Sequence, residues 1–401
     1  MKFKKNVVIL GAGFAGVKAG LEIIKCKKAL DIRITLIDKN SYHLFTPSLY
    51  EVATREEPQK NITIPLKEIF GNQVHLVREE VVGIDTEHKM IRTKSKMCFY
   101  YDYLIVGLGS ETAYFGIPGL VEHSFPLKTL ADAIHIQRAI KNAYQKKTKI
   151  GVIDVFVGGG GSSGTELVGE LISFRERLAK QHLCKNDCMR LTIIQKSDRL
   201  LRELDKKASE VAGKRLEDYG VRLFLGEHVK SLTKDCITTD MGSCYKYDIF
   251  IWTGGVRASS VLGRCGFSTN DRGQLIVNQY LQVVGYKNIF AVGDNAEFID
   301  IKTKQHASWL AQVAEEQGKI AAENIYCLIK SLPLEKYKLS HFGHIVPLKG
   351  RFAIVEFNGF HIVGFLGWII QQIVFLRYLL RILPLLKAFK RWNKFERELE
   401  Q

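Results

Sequence analysis

The first apolar run, Val7-Val8-Ile9-Leu10, is continuous rather than alternating, the mark of a strand buried on both faces. It leads through a glycine-rich loop into a helix-like stretch from Val17 to Lys28, and then into a second apolar strand from Ile32 to Ile37. The same order recurs. Ile153 to Val157 reads as a strand, Thr165 to Leu183 as a helix, and Leu191 to Ile194 as the next strand. Two later segments echo one another as well. Tyr101-Asp102-Tyr103-Leu104-Ile105-Val106 and Tyr247-Asp248-Ile249-Phe250-Ile251-Trp252 lie at almost the same distance beyond their glycine loops. Two independent matches to one period predict two α/β domains of common plan, each a parallel-rich sheet with flanking helices. A third element, Asn288 to Val292, is a strand ending in Gly293-Asp294, and it is expected to return the chain to the first domain.

The loops between strand and helix carry the candidate chemistry. Gly11-Ala12-Gly13-Phe14-Ala15-Gly16 is a G-x-G-x-x-G sequence in its required setting. The first glycine allows the tight turn, the second lets a pyrophosphate approach the backbone, and the third lets helix pack on strand. Asp38 closes the second strand about 20 residues further on, where an acid binds ribose hydroxyls. In the second unit one register fits, Gly159-x-Gly161-x-x-Gly164, and its ribose position falls on Gln195. Both units therefore read as Rossmann-like dinucleotide-binding domains. At Gly293-Asp294 the carboxylate can accept hydrogen bonds from polyol hydroxyls, while an Asp-capped helix is the alternative for that element.

With 401 residues the chain has room for two or three domains of about 150 residues. Its 46% hydrophobic and 25% charged content excludes a disordered chain, a collagen and a polytopic membrane protein. The net charge of +16 asks for an anionic partner. The eight cysteines include no C-x-x-C pair, so reduced structural thiols are expected, Cys184 and Cys188 among them as exposed or packed loop residues. No metal site is expected, and His341 and His344 read as structural. From Ile362 to Leu376 the chain is apolar except for Gln371 and Gln372, too short a run to span a bilayer. Beyond it Arg377, Arg381, Lys387, Lys390, Arg391, Lys394 and Arg397 alternate with aliphatic and aromatic residues, the composition of an interfacial helix, with Pro384 dividing it into two segments. Trp368 and Trp392 suit the interface. The alternative is a helix docked on the protein's own core or on a second subunit. No nucleic-acid partner is expected, because the tail's aromatic residues lie among long aliphatics rather than in a polar stacking groove.

Taken together, these residues resemble the two-dinucleotide-domain flavoproteins, and within them the type II NADH dehydrogenases, the single-subunit NADH:quinone oxidoreductases that do not pump protons. The likeness rests on the two glycine loops and on Tyr42-His43-Leu44-Phe45-Thr46-Pro47, Tyr50-Glu51-Val52-Ala53-Thr54, Phe115-Gly116-Ile117-Pro118-Gly119, Phe125-Pro126-Leu127-Lys128-Thr129-Leu130, Trp252-Thr253-Gly254-Gly255-Val256 and Ala311-Gln312-Val313-Ala314-Glu315-Glu316-Gln317. The last block matches the A-Q-x-A-x-x-Q helix that lines the quinone site in that family.

The resemblance implies FAD in the first domain, with Gly11, Gly13, Ala15 and Gly16 at its pyrophosphate, Asp38 on the adenosine ribose, Thr46 near the flavin ring, and Gly293 and Asp294 on the ribityl side. Lys39, Val81, Gly109 and Ala311 complete that set. NADH would lie on Gly159, Gly161, Gly164 and Gly254, with Glu166 beside the nicotinamide in an orienting and electrostatic role. Gln312 and Gln317 would position the quinone. One departure matters: the family's NADH-specific members usually carry glutamate where this chain has Gln195, and losing that carboxylate removes a repulsion against a 2′-phosphate, so NADPH use stays open. No cysteine lies between Cys26 and Cys98, which closes the route used by disulfide reductases of this architecture. The implied division is 1–115 with 280–330 for FAD, 116–279 for NAD(P)H, and 331–401 as a helical membrane-association region. The implied location is peripheral, on the cytoplasmic face of the cell membrane, and a homodimer is left open. The alternatives are a flavoprotein reductase with a non-quinone acceptor and a redox-sensing flavoprotein.

Overall fold

In a computed structural model, which describes residues 5–26, 30–55, 59–147, 152–181 and 189–399, each strand–loop–helix unit is present. Lys5–Leu10 is the middle strand of a five-stranded parallel sheet. It is flanked by Ile32–Asp38 and Tyr103–Val106, with His75–Arg78 and Ile289–Ala291 at the edges. Val7, Val8, Ile9 and Leu10 are all buried, as a strand covered on both faces requires. The second sheet repeats the order: Ile153–Gly158 lies between Met189–Gln195 and Ile249–Trp252, with Arg222–Leu225 and Phe125–Pro126 outside them. Ile289–Ala291 rejoins the first sheet by pairing with Tyr103–Val106, as its position ahead of Gly293-Asp294 predicted.

The repeated Tyr-Asp echo has a physical cause. Asp102 accepts the Asn6 N–H at 2.7 Å, and Asp248 accepts the Asp154 N–H at 2.8 Å. In each sheet one carboxylate satisfies an edge amide at the start of the central strand. The helices begin at Phe14 and Ser162, three residues earlier than expected in each case, because the second half of each glycine loop is already helical.

The region after residue 331 differs from the expectation of a purely helical tail. It contains a three-stranded antiparallel sheet, His344–Pro347, Ala353–Phe357 and Phe360–Gly364. Asn358 and Gly359, with φ of 49° and 80°, form the tight turn between its last two strands, and Asn-Gly is the strongest short hairpin signal. The apolar run from Ile362 therefore straddles a strand end and a helix. That helix, Phe365–Ile382, breaks at Leu383-Pro384 as expected and is followed by Leu385–Leu399. By length and composition alone Phe365–Ile382 could cross a membrane. One of its faces is nevertheless buried on the protein through Gln372, Phe375, Tyr378, Leu379 and Ile382, while Phe365, Leu366 and Ile373 stay exposed.

Reduced thiols are not the state of every cysteine. Cys236 and Cys244 are joined in a disulfide across a hairpin whose pairing holds their Cα atoms 5.9 Å apart. Cys26, Cys98, Cys265 and Cys327 are free, and Cys184 and Cys188 lie outside the described residues.

Candidate functional site

The glycine loops are built as close-packed cradles. A Cβ on Gly11, whose φ is +93°, would come within 2.1 Å of the Gly107 carbonyl oxygen, and one on Gly16 within 1.9 Å of the Gly11 oxygen. At Gly13 a Cβ would meet nothing within 4 Å. The loop thus encloses open space at the N-terminus of the 13-residue helix Phe14–Cys26, where free backbone N–H groups favour an anion. That cradle fits a dinucleotide pyrophosphate. In the second loop Gly159 has a φ of +109° and would bring a Cβ to 2.8 Å from Gly254 Cα, while one on Gly164 would stand 1.9 Å from the Gly159 oxygen. Gly254 is itself hemmed in, 2.3 Å from the Trp252 ring at its missing Cβ.

Both ribose positions are tied to their loops in the same way. Asp38 Oδ2 accepts the Ala12 N–H at 2.7 Å, and Gln195 Oε1 accepts the Gly160 N–H at 2.8 Å. Burial raises the Asp38 pKa, and the Ala12 and Asn40 amides oppose that shift. Lys39 beside it is exposed. Glu79 donates its N–H to the Asp38 carbonyl oxygen, which brings the buried Val81 two residues on into the same neighbourhood.

The Gly-Asp element draws several segments together. Asp294 accepts a hydrogen bond from the Ser110 hydroxyl and lies 3.8 Å from the Lys128 ammonium. Asn295, fully buried, clasps Gly109: its Oδ1 accepts the Gly109 N–H at 3.0 Å and its Nδ2 donates to the Gly109 oxygen at 2.6 Å. Gln317 turns inward from the Ala311–Lys330 helix, buried, and its Oε1 accepts the Gly293 N–H at 2.7 Å. The same helix packs tightly on the first loop, since a Cβ on Gly318 would meet the Ala15 oxygen at 2.2 Å. Gln312 stands half-buried in its first turn, beside Ala311, and does not share the inward face of Gln317. Thr46 is exposed in a short 3-10 turn after Tyr42–Leu44.

Two polar groups were not singled out from the sequence. His43 is fully buried, and burial pushes its imidazole down to about 4, so it is neutral. A carbonyl can only accept, so Nδ1–H donates to the Ala12 oxygen at 2.8 Å and Nε2 accepts the Tyr378 hydroxyl at 2.6 Å. The second is a cluster where Leu49–Val52 meets Ser162–Gln181. Glu51 is buried and pushed up to about 7, chiefly by desolvation, with Arg55 opposing and Glu170 reinforcing it. Arg55 pairs with Glu170 at 3.1 Å. Glu166 stands beside this cluster, and burial, then the Glu203 and Glu51 carboxylates, raise its pKa well above the ordinary range. His43 and Glu51 fall in sequence blocks noted above for likeness alone; their roles depend on residues more than 100 positions away, which no local pattern reveals.

Comparison with known proteins agrees with this geometry. The chain is 25% identical over 397 residues to a type II NADH:quinone oxidoreductase of Staphylococcus aureus, covering 97% of this chain and 98% of that one. It is equally similar to the corresponding protein of Staphylococcus saprophyticus, over 399 residues. The fold matches NDH2 from Plasmodium falciparum in complex with NADH with a TM-score of 0.86 at 17% identity, over 98% of both chains. The sulfide:quinone oxidoreductase of Aquifex aeolicus matches with a TM-score of 0.78 at 20% identity, over 94% of this chain and 90% of that one. The pattern of one family runs from residue 5 to residue 318, through both glycine loops and the Gly-Asp element, and the chain belongs to that family, the pyridine nucleotide-disulphide oxidoreductases.

Proposed function

We propose that this chain is an NADH:quinone oxidoreductase: NADH, a proton and a quinone give NAD⁺ and a quinol. FAD, when bound, supplies the two-electron relay between nucleotide and quinone, a chemistry that side chains lack. The chain's part is to hold and align. Gly11, Gly13, Ala15 and Gly16 cradle the FAD pyrophosphate, Asp38 and Lys39 border its ribose, and Gly109, Gly293, Asp294 and Ala311 border its middle, with Thr46 and Val81 nearby. Gly159, Gly161, Gly164 and Gly254 hold the NADH, with Gln195 at its ribose. Glu166, whose carboxyl is pushed upward by desolvation and by the Glu203 and Glu51 carboxylates, stands beside the nicotinamide in an orienting and electrostatic role. The division into 1–115 with 280–330, 116–279 and 331–401 keeps each parallel sheet within one unit, while the short pairs Ser110–Thr112 with Val256–Ala258 and Leu275–Ile276 with Ala296–Glu297 bridge the two.

The observation that carries the quinone assignment is the placement of the Ala311–Lys330 helix. On one side Gln317 holds Gly293, and on the other Glu315 pairs with Arg381 of the apolar C-terminal helix at 3.4 Å. The helix bearing Gln312 thus joins the cofactor cradle to the segment best able to meet lipid. Leu385, Leu386 and Phe389 are exposed beside exposed Lys387 and Lys390, so the foot fits an anionic membrane surface, with the protein peripheral on the cytoplasmic face. Anaerobic titration tests the proposal. NADH should bleach the flavin band near 450 nm, roughly the usual flavin maximum, and a short-chain quinone should restore it. Bleaching without recovery overturns the quinone assignment and leaves the nucleotide sites.

A further inference from the structure

The two glycine loops share their strand–loop–helix plan but differ above the second glycine. Above Gly13 there is open space, whereas a Cβ on Gly161, the matching second glycine, would meet the Glu203 carboxylate oxygens at 3.6 and 4.0 Å. Glu203 Oε1 accepts the Ser162 N–H at 2.9 Å and the Ser162 hydroxyl at 2.7 Å. Ser162 opens the 20-residue helix Ser162–Gln181. The second glycine of such a loop is the point where the pyrophosphate approaches the backbone, and the first N–H groups of the helix are its anion donors. The chain's own carboxylate therefore stands on the donors a nicotinamide dinucleotide needs. The corresponding residue of the first loop is Phe14, and Asp38 and Gln195 tie the two loops to their second strands in the same way.

We propose that Glu203 is a displaceable anionic cap of the nicotinamide-nucleotide site, seated on Ser162 when the site is free and displaced by the pyrophosphate when it fills. The proposal rests on reading the second loop as the NADH site. Little has to move. Leu200, Leu201 and Leu204 are buried and anchor the loop backbone, while Glu203 itself is exposed, so rotation of one side chain opens the donors. The asymmetry matches the two ligands. FAD stays through every turnover and needs an open cradle, whereas NAD⁺ must leave after each hydride transfer, and a carboxylate that reoccupies Ser162 weakens product and substrate alike. A uniform loss of affinity of this kind raises KM, and it speeds turnover where product release limits it.

The test uses the FAD-loaded holoenzyme and measures NAD⁺ and ADP-ribose binding by calorimetry, with bound FAD assayed in parallel. Glu203→Ala and Glu203→Gln should bind both ligands about two- to fivefold more tightly, the scale of a charge at an exposed helix N-terminus, and FAD content should not change. Gly161→Glu puts a carboxylate over the same donors on a residue free of positive φ, and it should abolish binding. If the Glu203 variants bind NAD⁺ no better, or worse, while Gly161→Glu abolishes binding, the cap is refuted and the nucleotide site stands. If Gly161→Glu binds NAD⁺ normally, the second-loop assignment fails and the cap falls with it.

Discussion

Replacing Glu51 by Gln should change how stability varies with pH by an amount the buried cluster fixes. The Glu51 carboxyl is pushed from its ordinary 4.5 up to about 7. Below 4.5 it is protonated whether the chain is folded or not, and above 7 it is ionised in both states. Between these limits the unfolded chain gives up the proton and the folded one keeps it, so stability falls as pH rises, by about 1.4 kcal/mol per unit and roughly 3 kcal/mol over the window. Gln keeps the shape and does not titrate. The unfolding free energy of the variant minus that of the parent should therefore climb by roughly 3 kcal/mol from pH 4.5 to 7.5, and stay level above that. His43 acts in the opposite sense. Its folded value of about 4 lies below the ordinary 6.5, so it costs stability as pH falls through that interval. Over their shared range the two slopes oppose, which leaves the parent's own profile flatter than either group alone would make it; the difference curve removes His43 because both proteins carry it. Urea titrations of the holoenzyme followed by far-ultraviolet circular dichroism, at half-unit steps of pH, give the curve. A flat difference, or one that falls with pH, would refute the account of Glu51 as a carboxyl kept protonated by burial.

Tyr378→Phe removes the only group donating to His43 Nε2 among the described residues and leaves a buried nitrogen unsatisfied; the loss should be about 1–3 kcal/mol in the same urea assay. Gln195→Glu keeps the acceptor for the Gly160 N–H and restores a charge against a 2′-phosphate, so kcat/KM for NADPH relative to NADH should drop at least about tenfold, a ratio read from steady-state rates. Combining Leu385→Ser, Leu386→Ser and Phe389→Ser removes three exposed apolar side chains, and sedimentation with anionic vesicles should weaken by at least about tenfold while the urea midpoint holds.

The strand–loop–helix units were legible because their cause is local. Gly11, Gly16, Gly159 and Gly164 are glycine because another backbone lies within a Cβ's reach, and that requirement leaves its mark in six consecutive residues. The return of Asn288–Val292 to the first sheet was legible from a strand that ends in Gly293-Asp294 well after the second unit. The tail was read less well. Its alternation of basic and apolar residues indicated an interfacial helix, but the preceding antiparallel sheet was overlooked despite Asn358-Gly359, because a continuous apolar run from Ile362 masked the change of period at Phe365. Asn295 and the His43–Tyr378 pair were beyond reach from sequence. Each is defined by a partner in a distant segment, Gly109 for the one and the C-terminal helix for the other.

That helix does more than offer an apolar face. Tyr378 holds His43, and His43 holds the Ala12 carbonyl of the first glycine loop, so the C-terminal region reaches that loop through two hydrogen bonds. Arg391 donates to the Thr63 carbonyl on the same side of the molecule. The preceding antiparallel sheet faces the other nucleotide unit: Arg215 donates to the Leu348 and Lys349 carbonyls and covers the Phe352 ring at 3.7 Å, and Lys349 pairs with Glu176. Residues 344–391 thus contact both glycine-loop units at once, and for the proposed reaction, with hydride donor and acceptor on different units, those contacts limit how far the two can rotate apart. Cutting the chain near residue 362 would strip Tyr378 from His43 and uncover Phe45, which packs 4.7 Å from Phe375, along with any membrane contact. A truncated protein that failed to pellet with vesicles would therefore report on two losses together. The exposed-face substitutions at Leu385, Leu386 and Phe389 separate them, because they leave the buried face of Phe365–Ile382 and its hold on His43 in place.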